Sequence, residues 1–307
     1  MTLDEFMNKF SDESSCEERI IELRWPSGFC CPKCGSKNAM RIHAKHRRDA
    51  ENRVPLFECR DCRRQTSITS GTIFHKTQTP LTKWFLAIYL VANDKGGIAA
   101  TTLERMLGVS YPTAWLMLRK IRIAMADRNA QYRLSGIVQV DDFYLGGESK
   151  GGKRGRGTEQ VPVVAGVSLK KGKPQYLFMD VVSDVGKRSV LDVLTKRIET
   201  GVILETDGWP TYASCAEELG AQSHLVTTSK DEKKNETFQW LDKAISNFKK
   251  FIDGTYHGRQ TDDQLYMEEY TYRYNRRGFG HQLAERLLRA CVAANLNNSM
   301  YSLKVGT

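Results

Sequence analysis

Four cysteines near the start of the chain form two pairs whose spacing is typical of a zinc ribbon. They are Cys31 and Cys34, in Cys-Pro-Lys-Cys, and Cys59 and Cys62, in Cys-Arg-Asp-Cys. Two such pairs can hold one tetrahedral Zn²⁺ through thiolates about 2.3 Å from the ion. Four thiolates leave no coordination position open, so the pattern predicts a structural Zn²⁺ that folds a ribbon with little core of its own. Cys30 lies outside this spacing and is not a predicted ligand.

Basic residues crowd the same segment: Lys37, Arg41, Lys45, Arg47, Arg48, Arg53, Arg60, Arg63 and Arg64. Such a cluster favours contact with nucleic-acid phosphates, although a merely solvated surface would have the same composition. His43 and His46 lie between the cysteine pairs, and we interpret them as surface residues because four cysteines already complete the coordination sphere.

Three aspartates follow two apolar segments further along the chain. Asp141 and Asp142 follow Ile137–Val140, and Asp207 follows Val202–Thr206. We predict that these segments are neighbouring strands, so that acidic side chains lie at matching strand ends. Successive side chains of a strand point to opposite faces, and therefore only one of the first two aspartates can face a metal shared with Asp207. The alternative for each aspartate is a turn or capping residue.

A third acidic ligand is expected from a long helix predicted over Phe238–Ile252. At 100° per residue its apolar side chains form one face. Asp242 and Lys249 are seven residues apart and share an edge of that face, from which the carboxylate can approach the strand ends and the lysine can meet a phosphate. Glu236 and Asn247 project from the far side and are disfavoured. The alternative is a solvated Asp and Lys on an ordinary helix.

Carboxylates in this arrangement can hold two Mg²⁺ or Mn²⁺ ions about 3.5–4 Å apart. One ion would activate a water or a DNA 3′-hydroxyl, while the other would stabilise the leaving oxygen. The acidic set therefore predicts metal-dependent phosphoryl transfer on nucleic acid without a covalent enzyme intermediate.

The elements that must position these residues are predicted from periodicity and turn signals. Strands are predicted over Ile137–Val140, Val161–Leu169, Gln175–Val182, Val202–Thr206 and Ser223–Val226, and helices over Arg188–Glu199, Tyr212–Leu219 and Phe238–Ile252. The order βββαβαβα is that of an α/β, ribonuclease H-like fold with a mixed sheet flanked by helices.

A helix-turn-helix-like segment is predicted between the ribbon and this sheet. Thr101 and Glu104 form a capping-box pattern that opens a short helix, Gly108 ends it, and Ser110 begins a second helix. The second helix carries the basic residues Arg119, Lys120 and Arg122. DNA contact and plain helical packing are both open for it.

These elements divide the 307 residues into four predicted segments. They are an N-terminal helix and zinc ribbon (1–78), a helix-turn-helix-like DNA-binding segment (79–130), a ribonuclease H-like catalytic domain (131–257) and a C-terminal helical extension (258–307).

The net charge of +10 favours a polyanionic partner. No apolar run approaches the roughly 18–20 residues of a membrane span, and the start lacks a basic, apolar leader. We expect a cytoplasmic protein without a membrane partner.

The chain resembles the bacterial insertion-sequence DDE transposases that carry an N-terminal zinc ribbon, relatives of the eukaryotic Merlin elements. The resemblance spans nearly the whole chain. It is carried by the two cysteine pairs, Gly71–Phe74, Pro80–Phe85, Val140–Gly147, Thr206–Trp209, Ser246–Lys249 with Gly254–His257, and Arg273–Arg276.

The resemblance implies a ribonuclease H-like domain that moves DNA by cut-and-paste or replicative transposition at terminal inverted repeats. It implies that Asp141 and Asp207 are the first two catalytic aspartates and that Lys249 is the basic residue that follows the third ligand. Asp242 departs from the Glu, His or Asn expected at the third position. The implied partners are double-stranded DNA, as transposon ends and target, and further copies of the chain in a synaptic complex on the bacterial nucleoid. Tyr256, His257 and a basic tail (Arg273, Arg276, Arg277, Arg286, Arg289) would line the DNA path.

Two other functions are compatible with the same sequence features. One is a metal-dependent nuclease of the same fold that cuts without strand transfer. The other is a catalytically inactive or domesticated zinc-ribbon protein that only binds DNA.

Overall fold

The computed structural model describes residues 1–42, 55–146, 160–227, 238–257 and 262–294. They form two compact units, one built from Met1–Asp127 with the segment that begins at Phe279, and one from Arg128–Gly278. Outside the described residues lie His43, Lys45, His46, Arg47, Arg48, Arg53 and Glu236.

The first unit begins with helices α1 (Leu3–Lys9) and α2 (Glu13–Arg24). A capping box opens α1, as Thr2 accepts a hydrogen bond from the Glu5 N–H at 3.2 Å and donates its own N–H to the Glu5 carboxylate at 2.7 Å. Asp12 caps α2 in the same way through its side chain. Both helices therefore start where a side chain satisfies the free amides of the first turn.

The ribbon follows as a three-stranded antiparallel sheet in the order β1, β2, β3. Its strands are β1 (Ala39–Ile42), β2 (Leu56–Cys59) and β3 (Gln65–Ser67). The register pairs Ala39 with Cys59, so β1 begins beside a predicted zinc ligand.

Three helices complete the described N-terminal part: α3 (Leu81–Asn93), α4 (Ala100–Leu107) and α5 (Tyr111–Asn129). Pro80 precedes α3 and has no side-chain acceptor, so the Glu13 carboxylate caps this helix and accepts the Leu81 and Thr82 N–H groups at 2.8 Å each. Gly108 ends α4 in the left-handed conformation, as predicted.

The capping box predicted at Thr101 is wrong. Helix α4 starts at Ala100 after Ala99, and no side chain caps it. Thr101 consequently lies inside the first turn, where it cannot act as the cap. Leu103 and Leu107 are buried, and we attribute the helix start to this packing rather than to a local polar motif.

The second unit contains a five-stranded mixed sheet. Its strands are β4 (Ile137–Leu145), β5 (Val161–Lys170), β6 (Lys173–Val181), β7 (Ile203–Thr206) and β8 (Ser223–Val226), in the spatial order β6-β5-β4-β7-β8. The first three strands are antiparallel, while β7 runs parallel to β4 and β8 runs parallel to β7. This confirms the predicted ribonuclease H-like fold and places β4 at the centre of the sheet.

The helices of this unit are α6 (Lys187–Arg197), α7 (Pro210–Glu218), α8 (Gln239–Tyr256) and α9 (Asp263–Arg276), and a further helix, α10 (Leu283–Ala293), belongs to the first unit. Each face of the sheet is buried. Val138 and Val140 pack with residues of α6 and α7, whereas Phe143 and Leu145 pack with residues of α8 and α9. No helix in the described part of the chain is long and apolar enough to cross a membrane.

Strand β4 is longer than predicted. It continues past Val140 to Leu145, so Asp141 and Asp142 lie within the strand and not after it. Burial of Phe143 and Leu145 explains the extension, because a ladder with β5 keeps both side chains in the core.

Candidate functional site

The four predicted zinc ligands converge in the ribbon. Their Sγ atoms all lie within 4.8 Å of one another, with 3.6 Å between Cys31 and Cys62 and 3.6 Å between Cys34 and Cys59. A tetrahedral ion with 2.3 Å bonds holds its sulfur ligands roughly 3.8 Å apart. The observed spacing therefore fits a single Zn²⁺.

The two cysteine loops repeat one backbone conformation. In each, the carbonyl of the first cysteine accepts an N–H from four residues later, from Gly35 to Cys31 and from Arg63 to Cys59, at 2.9 Å in both. Gly35 has a φ of 72° and Arg63 a φ of 60°, so the residue after each second cysteine is left-handed. Glycine adopts this conformation readily, and Arg63 adopts it because the loop requires it.

Backbone amides in these loops favour the thiolate form of two ligands. Burial raises the pKa of Cys31, but the N–H groups of Cys34 and Lys33 outweigh it and lower that pKa to about 6. The Cys62 N–H is the largest cause that lowers the pKa of Cys59, against the opposing effect of burial. A thiolate is the form that binds Zn²⁺, so the loops prepare the site for the ion.

A small aromatic cluster supports the cysteines. Trp25 and Phe29 have ring centroids 4.9 Å apart, and Phe29 stacks on Phe57 at 5.0 Å. These side chains pack with the buried Cys31 and Cys59. The ribbon thus has a core of a few residues that includes the metal ligands themselves.

The pleat of β4 separates the two adjacent aspartates. Asp141 shares its strand face with Phe143 and Leu145, which pack against the α8 layer. Asp142 points to the other face, where the Tyr212 hydroxyl donates to its Oδ1 at 3.5 Å. The structure therefore brings Asp141, and not Asp142, to the side of the sheet that carries α8.

Asp207 follows β7 at the level of Asp141. The parallel register pairs Gln139 with Glu205, and the Gln139 amide donates to the Glu205 carboxylate at 2.8 Å on that same face. Asp141 lies two residues further along β4, so strand alternation directs it to the α8 side, and the negative charge of Asp207, just beyond the end of β7, acts on it and raises its pKa. The Trp209 N–H donates to Asp207 Oδ1 at 3.1 Å, which orients the carboxylate beyond the strand end.

The pKa of Asp141 is raised from 3.8 to about 7. Burial is the largest cause. The Asp142 N–H, 2.8 Å from Asp141 Oδ1, lowers the pKa, whereas the negative charges of Asp207, Asp142 and Asp242 raise it. A partly buried carboxylate among other carboxylates is surrounded by uncompensated negative charge. Such surroundings favour the binding of a cation.

Asp242 and Lys249 lie on α8, and both are exposed. Asp242 is in the first turn of the helix and raises the pKa of Asp141 by its charge. Lys249 Nζ lies 5.5 Å from the centroid of the Phe143 ring, two residues beyond Asp141 on the same strand face. Within the described ranges, only the four cysteines form a group of three or more ligand residues with all donor atoms within 4.8 Å, so the aspartates interact by charge without forming a closed single-ion site.

Comparison with known protein families matches both parts of the chain. Residues 133–275 match the ISXO2-like transposase domain, and residues 11–65 match the transposase zinc-ribbon domain. The first range contains the sheet with Asp141 and Asp207, and the second contains both cysteine loops. The chain belongs to the insertion-sequence transposases with an N-terminal zinc ribbon.

A relative of the transposase and several solved structures are also similar. An uncharacterized protein in transposable element ISH50 of Halobacterium salinarum is 28% identical over 222 residues, 66% of this chain and 70% of that protein. A chain of the simian T-cell lymphotropic virus intasome, solved in complex with PP2A regulatory subunit B56 gamma, matches with 12% identity and a TM-score of 0.31 over 45% of this chain and 48% of its own length. The pre-cleavage Mos1 transpososome matches with 11% identity and a TM-score of 0.23 over 69% of this chain and 78% of that one. Structures with such low identity and TM-scores do not assign a role to any residue of this chain.

The zinc site of the transposase is structural. Four cysteines surround one position, and the segment that carries them belongs to a zinc-ribbon family. A four-thiolate site offers no open coordination position for a substrate. The sequence prediction of a structural Zn²⁺ is confirmed.

The basic residues predicted to read DNA on α5 have different exposures. Lys120 and Arg122 are only 8% and 4% exposed, and Lys120 Nζ lies 5.7 Å from the Trp84 ring centroid. Arg119 remains partly exposed, 5.6 Å from the ring of the exposed Trp115. The sequence left DNA contact and helical packing open for this helix, and the burial of Lys120 and Arg122 favours packing for these two residues, whereas the first turns of α5 are exposed.

Two of the five arginines of the basic tail make contacts inside the transposase fold, whereas Arg277, Arg286 and Arg289 are exposed. Arg276 is 8% exposed, donates to Asn129 at 3.2 Å and stacks on Tyr272 at 3.7 Å. Arg273 pairs with the buried Glu269 at 2.6 Å. The burial of Arg276 contradicts the expectation that it lines a DNA path, whereas the same expectation for Arg273 stays a prediction. His257 is exposed and ends α8 in a left-handed conformation.

The sequence reasoning did not identify the Gln139–Glu205 bridge. Both residues were treated as ordinary strand positions, although each precedes a proposed ligand by two residues. Side chains two residues apart in a strand point to the same face, so counting back two residues from Asp141 and from Asp207 would have identified this pair. The bridge links β4 to β7 directly beneath the two aspartates.

Proposed function

We propose that the transposase cleaves DNA strands at the terminal inverted repeats of an insertion sequence and joins them to target DNA. Asp141, Asp207 and Asp242 form the acidic set in this proposal and hold two Mg²⁺ or Mn²⁺ ions. The supporting observation is that Asp141 lies on the α8 face of β4, while Asp207 directly follows the strand paired in parallel with β4 and acts on Asp141 by its charge. The rigid ladder beneath them fixes the direction of both carboxylates.

The donor set fits divalent ions of this kind. Carboxylate oxygens are their preferred ligands. Burial and three neighbouring carboxylates raise the pKa of Asp141 to about 7, and a bound dication would remove this unfavourable charge density. Two ions about 3.5–4 Å apart also accommodate a wider set of carboxylates than one ion does. Within the described residues the three aspartates do not all have a carboxylate oxygen within 4.8 Å of one another, and a pair of ions can accommodate such a set.

The chain itself contributes ligands, orientation and one positive charge. Asp141 supplies a half-buried carboxylate, Asp207 is oriented by the Trp209 N–H, and Asp242 lies in the first turn of α8. Lys249 on the same helix can bind a phosphate of the substrate strand. When bound, the ions supply activation of a water or a 3′-hydroxyl and charge stabilisation in the transition state.

DNA binding is proposed for the N-terminal part of the chain. The ribbon offers basic side chains around its zinc site, and the first turns of α5 offer Tyr111, Trp115 and Arg119 on a helix that follows a three-residue turn after α4. We propose residues 1–78 and 79–130 as DNA-binding segments, 131–257 as the catalytic domain and 258–307 as a helical extension. Two transposon ends require at least two binding sites, so we also propose a homo-oligomeric synaptic complex.

The acidic set is tested with a matched pair of substitutions, Asp141→Asn and Asp142→Asn. The two residues are adjacent, but only Asp141 faces the proposed site. We expect Asp141→Asn to lower Mg²⁺-dependent cleavage and strand joining by roughly 10²–10³-fold or more, and Asp142→Asn to lower them much less. Linear DNA with the ends of the element serves as substrate, and thermal unfolding checks that both variants fold.

The products decide between the proposed function and its alternatives. Joined strands indicate transposition, whereas nicked DNA without joining indicates a nuclease. Binding of DNA without cleavage in Mg²⁺ or Mn²⁺ would contradict an enzyme and favour a regulator. Equal loss of activity in the two variants would contradict the assignment of Asp141.

A further inference from the structure

A cavity of about 470 Å³ lies beside the zinc ribbon in the first unit. The polar residues that line it are Arg24, Arg64, Thr66, Ser70 and Thr72, together with Gly71. No acidic side chain lines it. The cavity thus combines two cations with the hydroxyl groups of Thr66 and Ser70 as possible donors, whereas the Thr72 hydroxyl already donates to the Thr69 carbonyl at 2.8 Å.

Arg24 is a partly buried cation without an acidic partner. Its guanidinium donates to the carbonyls of Ser67 at 2.9 Å and Ile68 at 2.7 Å and also to the carbonyl of Ser70. Across the described part of the chain no carboxylate pairs with it, and burial alone lowers its pKa to about 10, so it stays charged at neutral pH. Carbonyl dipoles compensate a buried charge only in part, and an anion would complete the compensation.

Thr66 adds a polar group whose bonding is incomplete. Its side chain is 4% exposed, and its Oγ1 has no hydrogen-bond partner. Thr66 lies on β3, Arg64 directly precedes that strand, and both residues line the cavity. A buried hydroxyl without a partner is destabilising, and a ligand oxygen at this position would offset that cost.

We propose that this cavity binds a phosphate group and that the phosphate belongs to the backbone of bound DNA. Arg64 and the N–H groups of Arg24 not used by the three carbonyls donate to the phosphate oxygens, together with the Thr66 hydroxyl. DNA is the source that fits the location, because the ribbon around the cavity carries further basic residues. This inference rests on the DNA-binding part of the proposed function.

The test compares two adjacent arginines that make the same change in net charge. Arg64 lines the cavity, whereas Arg63 is exposed and pairs with Glu58. DNA affinity is measured against salt concentration in buffer without Mg²⁺ and without chelator, and zinc content confirms an intact ribbon. We expect Arg64→Gln to reduce the slope of log K against log salt by about 0.9, and Arg63→Gln, which removes a guanidinium already paired with Glu58, to reduce it by clearly less.

Thr66→Val is the second variant, because it keeps the shape of the side chain and removes only the hydroxyl. We expect it to weaken DNA binding several-fold without a change in the salt slope. Equal effects of Arg63→Gln and Arg64→Gln, with no effect of Thr66→Val, would overturn the cavity as a phosphate site. If the wild type binds no DNA at any salt concentration, the proposed function itself fails.

Inorganic phosphate separates the two sources of the ligand. At matched ionic strength we expect phosphate to raise the Tm of the wild type relative to chloride, and to do so less in Arg64→Gln and Thr66→Val. Phosphate should also compete with DNA for the wild type. Stabilisation by phosphate combined with an unchanged DNA slope in Arg64→Gln would overturn the assignment to the DNA backbone.

Discussion

Asp141 and Asp142 are adjacent and chemically identical, but β4 gives them different surroundings. Asp141 faces the α8 layer among acidic neighbours, and Asp142 faces Tyr212 on the opposite side of the sheet. The carboxylate with the greater burial has the larger free-energy cost of ionisation in the absence of a cation. A site prepared for metal binding is therefore a cost to the stability of the metal-free protein.

Because ionisation of Asp141 destabilises the metal-free protein, we predict that Asp141→Asn is more stable than the wild type and that the difference depends on pH. The folded pKa of Asp141, about 7, lies above its ordinary value of 3.8, so the wild type loses stability as pH rises from about 4 through 7. Asparagine does not ionise and avoids this loss. We expect Asp141→Asn to exceed the wild type in free energy of unfolding by up to about 4 kcal/mol at pH 8, and by almost nothing at pH 4.

Urea unfolding in Mg²⁺-free buffer at the two pH values measures this difference. Asp142→Asn is the control, and we expect it to show no comparable gain at pH 8. Addition of Mg²⁺ should stabilise the wild type and not Asp141→Asn. A constant difference between wild type and Asp141→Asn at both pH values would contradict the raised pKa.

At the scale of elements, α9 covers strand β6, which lies at one edge of the sheet. Asn275 accepts the Leu177 N–H at 2.7 Å and donates to the Leu177 carbonyl at 2.9 Å. Gln264 accepts the Val181 N–H at 2.7 Å and donates to the Met179 carbonyl at 3.0 Å. Two amide side chains thus satisfy backbone groups that an edge strand would otherwise leave open to pairing with other chains.

We expect Asn275→Ala to destabilise the protein by roughly 1–3 kcal/mol, because it leaves an N–H and a carbonyl of Leu177 without their partner. Urea unfolding measures the loss, and light scattering detects the association that an open edge permits. Asn247→Ala, at an exposed position of α8, is the matched control and should change stability by less than about 0.5 kcal/mol. Similar losses in both variants would contradict the covering role of α9.

Helix α5 has an exposed beginning and a buried remainder. Tyr111 and Trp115 are exposed, whereas Ile121 to Ala126 are buried on every side of the helix. A helix that enters a DNA groove commonly contacts it through its first turns. The exposed aromatic residues therefore mark the part of α5 available to DNA.

From this we predict that Trp115→Ala weakens binding to the ends of the element by roughly tenfold, the loss of about 1–2 kcal/mol of contact free energy. Fluorescence anisotropy with labelled duplex DNA measures the affinity. Tyr176→Ala removes another exposed aromatic side chain, from β6, and should leave the DNA affinity unchanged. Unaltered affinity in Trp115→Ala would argue for α5 as a packing helix only.

At the scale of the whole molecule, the ribbon within the first unit and the sheet of the second unit are stabilised in different ways. The ribbon depends on one Zn²⁺ and a few aromatic side chains. The sheet of the second unit has a hydrophobic core on each face. Loss of zinc should therefore affect the ribbon selectively.

We expect chelation of Zn²⁺ to remove hydrogen-exchange protection from the amides of β2 and the cysteine loops, while β4 and β5 stay protected. Mass spectrometry of peptides before and after chelation measures both regions. Cys34→Ser should reproduce the effect without chelator, and Cys30→Ser serves as the control. Loss of protection throughout β4 and β5 on chelation would contradict independent sources of stability.

Much of this architecture follows from local patterns. The cysteine spacing predicted the ribbon, and the order of strands and helices predicted the sheet. The strand Val202–Thr206 and the helix Phe238–Ile252 were predicted within a few residues of their observed bounds. Local patterns sufficed because metal-ligand spacing and side-chain periodicity are properties of short segments. The catalytic roles of Asp141, Asp207, Asp242 and Lys249 stay predictions.

Long-range packing decided the rest. The start of α4, the burial of Lys120 and Arg122 and the inward arginine Arg276 each depend on residues distant in sequence. Charge alone predicts an exposed arginine, because a basic side chain is buried only where the fold supplies a partner such as Asn129.

The sequence by itself determined which residues are available for metal binding: four cysteines in two pairs, and aspartates after two apolar segments. Only the tertiary structure decided that Asp141 and not Asp142 shares a face with Asp207. Two adjacent aspartates are equivalent in composition, and they differ only when the pleat of β4 and its register with β7 fix one side chain on each face.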